Sequence, residues 1–366
     1  MIRVLQCVNN MHRAGLETML MNYYRNIDRE KIQFDFLVHR AERSDYDDEI
    51  ESMGGRIYRA PRLYPQNYPA YFAFMKKFFR EHPEYRIVHS HIDAMSFLPL
   101  LAAKKAGVPV RIAHSHSTSI DLDFKYPLKQ CFRTMIPWVA THRIACGQNA
   151  GQFLYRGRSF QIIPNAIDAA AFIFSPYVRE LKRKELTIED KFVVGHVGRF
   201  NYPKNHKFLI DLFVQLRKQK PDAVLMLVGT GEKEEEIRAY VQKLNVEDSV
   251  LFMGSRSDVN ELYQAMDIFV MPSLFEGVPV VGIEAQFAGL RCLFSTQVPD
   301  EVEFTNQCTF LDLAGGPSLW AETILQLQEG EASRVPPCGD QYDVRNAHKL
   351  LEEVYEKLYF KIVGSC

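Results

Sequence analysis

The chain has 366 residues, 47% of them hydrophobic and 24% charged, with a net charge of −1; this excludes disordered and collagen-like classes and, at this length, points to two domains. Its seven cysteines are scattered, with no CxxC pair, which fits reduced thiols in a cytosolic protein and argues against a disulfide framework or a zinc site. No apolar run nears the ~20 residues that span a bilayer, and Met1 leads straight into the strand-like IRVLQCV, so neither a membrane span nor a signal peptide is expected.

From the N-terminus, short β-rich runs alternate with longer stretches of helical period. IRVLQCV (2–8), FDFLVH (34–39), RIVHSH (86–91), VRIAHS (110–115), HRIACG (142–147) and QIIPN (161–165) read as strands. Two intervening segments, 68–82 and 126–142, mix aromatic and basic residues. An interfacial membrane helix is one reading; a helix with an apolar inner and a basic outer face is the commoner one. The first 175 residues hold 23 basic against 16 acidic side chains, a charge of +7 that the remainder offsets with −8. A basic first half suits anionic lipid or a phosphorylated acceptor, although ordinary drift of surface charge explains it equally well. The charge is too diffuse to suggest nucleic acid. The acid pairs DYD (45–47) and DLD (121–123) end no buried strand and read as solvated loop.

Past the Pro-bearing stretch 164–176 the alternation restarts. KFVVGHVG, AVLMLVG, SVLFMG, DIFVMP, RCLFST and CTFLD are strands, with helical stretches at Lys207–Lys218, Glu232–Leu244 and Asp258–Ala265. Two βαβα series predict an α/β chain of two doubly wound domains, each with its functional edge at the carboxyl ends of its strands. The boundaries expected are 1–168 and 169–345, and the helical tail 346–366 is a candidate to complete the first domain.

Two strand ends in the second series carry the chemistry. HVGRFNYPKN (196–205) places Arg199 and Lys204 just after the first strand. SLFEGVPVVGIEA (273–285) places Glu276 in a loop and Glu284 about two turns into the next helix, with Pro279 in its first turn and the N–H groups of Gly277 and Val278 at its N-terminus. On spacing alone, a surface acid and a capping acid are the commoner explanation of the glutamates. With Arg199 and Lys204 at the neighbouring strand end, the set suits a ligand with an anionic middle and a hydroxylated group on each side, the shape of a nucleotide sugar.

In these segments the chain resembles the retaining glycosyltransferases of family 4, of GT-B architecture. The E-x7-E of Glu276 and Glu284, the segment Gly198-Arg199 to Lys204-Asn205, IIPNAID (162–168), LVGTGEKEEEI, FMGSRSDV and ELYQAMDIFVMPS carry the resemblance in order along the chain. It implies that Arg199 and Lys204 hold the donor diphosphate with the N–H groups of Gly277 and Val278. Glu276 would bind the sugar, Glu284 the ribose, and the backbone around Met253–Arg256 would lie near the base. NNMHRAGLETML resembles the family's glycine-rich loop, with Ala14 in place of the first glycine and Gly15 kept. AHSHST (113–118) resembles the segment that sets a histidine near the anomeric carbon, here His116, with His114 and His91 as rivals.

The resemblance further implies a mechanism needing no metal or cofactor, and a nucleotide-diphosphate donor, most often a UDP-sugar in this family. The acceptor would be a glycan or lipid-linked glycan of bacterial surface-polysaccharide synthesis, reached from the cytoplasm with peripheral membrane contact. No G-x-G-x-x-G, G-x-x-x-x-G-K-[ST] or G-x-S-x-G occurs, which argues against a dinucleotide oxidoreductase, a P-loop NTPase or a hydrolase. A sugar-nucleotide epimerase, a phosphorylase and a non-catalytic nucleotide-sugar binder remain as alternatives on the same fold.

Overall fold

Strands with no polar residue at alternate positions can be buried only where both faces of a sheet are covered, and the chain is built around such strands. The computed structural model describes residues 1–120, 124–329, 334 and 339–364. The chain divides into two units, Met1–Ala166 with Gln341–Cys366, and Ile167–Asp340.

The first unit contains β1 (Ile2–Val8), β2 (Ile32–Val38), β3 (Ile57–Arg59), β4 (Ile87–Ser90), β5 (Val110–Ser115), β6 (His142–Ala145) and β7 (Gln161–Ile162). They form one parallel sheet in the order β3-β2-β1-β4-β5-β6-β7. The second unit contains β8 (Phe192–Val197), β9 (Ala223–Val228), β10 (Val250–Gly254), β11 (Ile268–Met271), β12 (Arg291–Ser295) and β13 (Cys308–Leu311), parallel in the order β10-β9-β8-β11-β12-β13. Every residue of β9 is buried, as a continuous apolar strand covered on both faces should be; β2 is buried throughout as well, its Asp35 paired with Arg3 at 2.6 Å. Strand order reverses between β1 and β4 in one sheet and between β8 and β11 in the other. At such a reversal the connections leave in opposite directions and open a crevice at the strands' carboxyl ends.

The expected helices are present at His206–Gln219, Glu234–Lys243 and Val259–Ala265. The aromatic-basic segments fold as helices Tyr68–Glu81 and Tyr126–Val139, which bury Tyr71, Met75, Phe78 and Phe79, and Phe132, Ile136 and Val139. The tail forms helix Val344–Val363, capped by the Asp343 side chain accepting from the Arg345 N–H at 3.0 Å. It packs in the first unit, where its Glu352 accepts from the Asp28 N–H at 2.7 Å and Tyr355 is fully buried.

Two expectations need correction. The short edge strand β3 was not expected, and Asp47 of DYD is not a solvated loop residue. Asp47 opens helix Asp47–Ser52, is 1% exposed and is paired with Arg59; in the helix's first turn its carboxylate also meets the positive end of the helix dipole. DLD (121–123) lies outside the described residues.

Candidate active site

In the second unit the site grows from the loop after β8. Phe200 is buried and anchors this loop: its N–H donates to Thr230 O at 3.1 Å and its carbonyl accepts from Lys233 N–H at 3.0 Å. The two loops lie backbone to backbone because Gly229 stands at φ +135°, where a Cβ would fall 2.2 Å from Gly198 O. At the other end of the loop, Asn205 donates to Pro272 O at 3.1 Å, and Leu274 N–H donates to Pro203 O at 2.8 Å. These bonds tie the β8 loop to the β11 loop across the strand-order reversal.

The tie delivers Lys204 to Glu276. Lys204 Nζ lies 2.7 Å from Glu276 Oε1, and each side chain is only 14% exposed. The lysine stem runs past Gly198, whose missing Cβ would sit 3.2 Å from Lys204 Cδ and Cε. Arg199 behaves differently: its side chain is 68% exposed and its ion pair with Glu232 is a loose 3.8 Å. Lys204 and Glu276 are therefore a held pair, while Arg199 is an exposed, loosely paired cation at the same strand end.

Glu284 is apart from Glu276 and buried. Tyr263 Oη lies 3.0 Å from Glu284 Oε2 and 3.1 Å from Val281 O. A single hydroxyl proton cannot serve both acceptors, so a protonated Glu284 donating to Tyr263, with Tyr263 donating to Val281, satisfies all three groups. Burial pushes the Glu284 pKa up to about 7, against the lowering effect of the Tyr263 hydrogen bond. Tyr263 is a partner that sequence reasoning missed, and its mid-helix position in ELYQAMD gives no signal of its own.

The expected helix start is corrected. Helix Val280–Phe287 begins after Pro279, which is the N-cap in an extended conformation (ψ 120°) and not a first-turn residue. Gly277 and Val278 thus belong to the preceding loop, and Glu284 is the fifth helical residue. Met253 lies in β10, where Gly254 O accepts from Gly229 N–H at 2.8 Å, so this strand end adjoins the loop that supports Lys204.

In the first unit, Gly15 is the first residue of helix Gly15–Asn26, which follows β1. His116 follows β5. Its N–H donates to Asp93 Oδ1 at 2.8 Å, and the residue is half-buried. Burial holds its pKa down near about 3, opposed by a hydrogen bond with Asn165. His114 and His91 are 1% and 2% exposed. His114 Nδ1 lies 3.2 Å from His89 Nε2, and His91 Nδ1 lies 3.0 Å from His116 Nε2. The three histidines weighed as rivals are thus one cluster of neighbouring rings with His89, and His116 is its least buried member. His89, His91 and His114 set ligand nitrogens within 4.8 Å of one another, a group that sequence reasoning did not identify. Hydrogen bonds already use these nitrogens, except His114 Nε2.

Residues 13–171 match the family model Glycosyltransferase Family 4, and residues 178–307 match Glycosyl transferases group 1. The chain is 37% identical over 332 residues to EpsF of Bacillus subtilis (strain 168), which is named a glycosyltransferase, covering 88% of this chain and 86% of that one. It is 29% identical over 224 residues, 58% of each chain, to the Escherichia coli enzyme named UDP-Gal:alpha-D-GlcNAc-diphosphoundecaprenol alpha-1,3-galactosyltransferase. In fold it is similar to the crystal structure of Anabaena HepE in complex with UDP-glucose, with a TM-score of 0.77 and 18% identity over 99% of both chains.

Proposed function

This chain belongs to glycosyltransferase family 4 and has the GT-B fold, and from that premise we propose that it moves a hexose or N-acetylhexosamine from a UDP-sugar to a lipid-linked glycan, with retention of configuration and without a metal, at the cytoplasmic face of a membrane. The observation that carries the reading is the Lys204–Glu276 pair at 2.7 Å, held at the strand-order reversal of the second sheet. The UDP-glucose bound by HepE and the diphosphoundecaprenol acceptor in the Escherichia coli enzyme's name support the donor and acceptor classes.

In this proposal the ammonium of Lys204 and the guanidinium of Arg199 take the diphosphate, beside the N–H groups of Gly277 and Val278. Glu276, released from Lys204, accepts from sugar hydroxyls, and Met253 lies toward the base. The bond from the anomeric carbon to the diphosphate oxygen breaks as the acceptor oxygen bonds on the same face. The leaving diphosphate takes the acceptor's proton, while Lys204 stabilises its growing charge. His116 serves the reacting end of the donor, as does the loop that leads from β1 into Gly15. The test is turnover in EDTA with UDP-sugars and a polyprenyl-diphosphate-linked monosaccharide. A glycoside with the donor's anomeric configuration supports the reading; inverted product or dependence on added metal overturns those parts of it.

Glu284 adds a prediction with a definite sign. Ribose hydroxyls donate to a carboxylate and so favour its ionised form. A free pKa of about 7 means that Glu284 is mostly protonated at about pH 6 and mostly ionised at about pH 8. UDP-glucose affinity, read by calorimetry, is expected to tighten by about tenfold over that interval and to become pH-independent in Glu284→Gln. Unchanged wild-type affinity across the interval rejects the ribose role.

The proposed membrane contact rests on helix Tyr126–Val139. Phe124 and Trp138, at its two ends, are 74% and 69% exposed, and Lys125 packs over the Phe124 ring with 5.4 Å to the centroid. Aromatic tips beside lysines suit an anionic lipid surface. Co-sedimentation with anionic vesicles is expected to fall several-fold in Phe124→Ser/Trp138→Ser and to weaken with salt. Equal recovery with neutral vesicles removes this part.

A further inference from the structure

Gln6 of β1 pairs in register with His89 of β4, and His89 with Ile112 of β5. Side chains two residues apart share a face of a sheet, so Gln6, His89, His91, His114 and His116 all project to one side. Tyr355 of helix Val344–Val363 reaches this group from the far end of the chain. Apart from His116, each of these residues is at most 2% exposed, so their polar atoms bond to one another, with His114 Nε2 left as a buried atom without a partner.

The donors and acceptors can be followed outward from Gln6. Its Oε1 lies 2.9 Å from His91 Nε2, and its Nε2 donates to Tyr355 Oη at 3.1 Å. A carbonyl oxygen only accepts, so His91 carries its proton on Nε2. Burial keeps His91 neutral, which leaves a lone pair on Nδ1. That lone pair faces His116 Nε2 at 3.0 Å, so His116 donates from Nε2 and keeps its own lone pair on Nδ1. On the other arm, the Tyr355 hydroxyl, already accepting from Gln6, donates to His89 Nδ1 at 2.6 Å. His89 then donates from Nε2 to His114 Nδ1 at 3.2 Å. The arm ends at His114 Nε2, a buried atom with no partner. Turning the Gln6 amide over exchanges donor for acceptor at every link of both arms.

We propose that Gln6 is a positioning residue, whose amide fixes through His91 which ring nitrogen of His116 carries the proton. The inference rests on the reading that His116 serves the reacting end of the donor, and it assigns that ring its state: N–H at Nε2 toward His91, lone pair at Nδ1. The nitrogen that a neutral imidazole protonates is set by the bond its other nitrogen makes, and Gln6 makes that choice at second hand.

The test reads the tautomer directly. Long-range proton–nitrogen spectra of the full chain, with ¹⁵N-labelled histidine and His116 assigned by comparison with His116→Ala, are expected to show His116 protonated at Nε2. Gln6→Met removes the acceptor and should abolish this preference. Gln6→Glu, which still accepts from His91, should restore it. Tyr355→Phe removes the acceptor that orients the Gln6 amide, so it should weaken the His116 preference as well, and thermal melts establish that each variant is folded; Asn165, whose side chain also meets the ring, stays in place throughout. Turnover in Gln6→Met should fall about 10- to 100-fold, as when other orienting partners are lost, with donor KM unchanged. An Nδ1–H tautomer in the wild type, or an unaltered tautomer in folded Gln6→Met, overturns the proposal. If His116→Ala leaves transfer intact while Gln6→Met shifts the tautomer, the catalytic reading of His116 fails and the Gln6 assignment stands.

Discussion

Lys204→Ala is expected to lower turnover by two to three orders of magnitude while leaving the fold in place. The ammonium is 14% exposed and sits 2.7 Å from Glu276, in an environment where a charge counts for more than it does in water. Removing one preorganised donor from a developing oxyanion typically costs about 2.7–4 kcal/mol in the transition state. Arg199 gives the contrast: at 68% exposure and 3.8 Å from its partner, its charge is screened by solvent, and Arg199→Ala should cost less than about tenfold. Lys204→Arg should not rescue, because the stem runs within 3.2 Å of where a Cβ on Gly198 would be, and a planar guanidinium does not follow that path. The alanine variant also strips Glu276 of its counter-charge, so the measurement is a kinetic cycle of Lys204→Ala, Glu276→Gln and the double variant. Strong non-additivity marks one functional unit. A Lys204→Ala enzyme within a few-fold of wild type removes Lys204 from the proposed mechanism and leaves Arg199 as the candidate for the diphosphate.

The strands of the second unit were legible because each is an uninterrupted apolar run with turn residues after it; AVLMLV (223–228) is buried at every position. β3 escaped because it is three residues long at a sheet edge and only half-buried, so no apolar run marks it. Lys204 and Glu276 were legible as strand-end residues, yet their contact depends on Asn205 and Leu274 bonding the two loops together, which no spacing encodes. The histidine cluster is the instructive failure. HSH occurs twice, at 89–91 and 114–116, and both pairs are separated by 25 positions. A two-residue period puts each pair on one face, and the parallel register, with His89 opposite Ile112, sets the pairs on the same side of the sheet, staggered by two residues. The repeat was a usable signal, but taking His91, His114 and His116 as competitors for one role concealed it. Tyr355 had no signal, since only the packing of the last helix brings it to β1 and β4.

That cluster also sets how the protein meets acid, and the two units should part company there. In the first unit, burial holds His39 near about 4 and His116 near about 3, and holds His89, His91 and His114 well below the ordinary value. A histidine whose folded pKa lies below its unfolded value contributes stability that is intact above about pH 6.5 and lost as pH falls toward the folded pKa, because the unfolded chain alone takes the proton. These five groups, with the half-buried His142 acting in the same sense, make the first unit lose stability at a rate of at least about 7 kcal/mol per pH unit once the unfolded chain is fully protonated, at about 1.4 kcal/mol per proton. The second unit has His196 near about 4 and His206 near about 2 acting in the same sense, but Glu284 near about 7 acts in the opposite one. A raised carboxyl pKa stabilises below about 4.5 and ceases to do so as pH rises through about 7, so its gain on acidification offsets one of the two histidine losses. A domain holds only about 5–15 kcal/mol in all, so the first unit should unfold within one to two pH units below about 6.5 while the second persists. Limited proteolysis followed by mass spectrometry, stepped from about pH 7.5 to about pH 4.5, reads this as cleavage within 1–166 before cleavage within 167–340. Simultaneous loss of both units, or earlier loss of the second, means that the buried histidines do not govern acid stability.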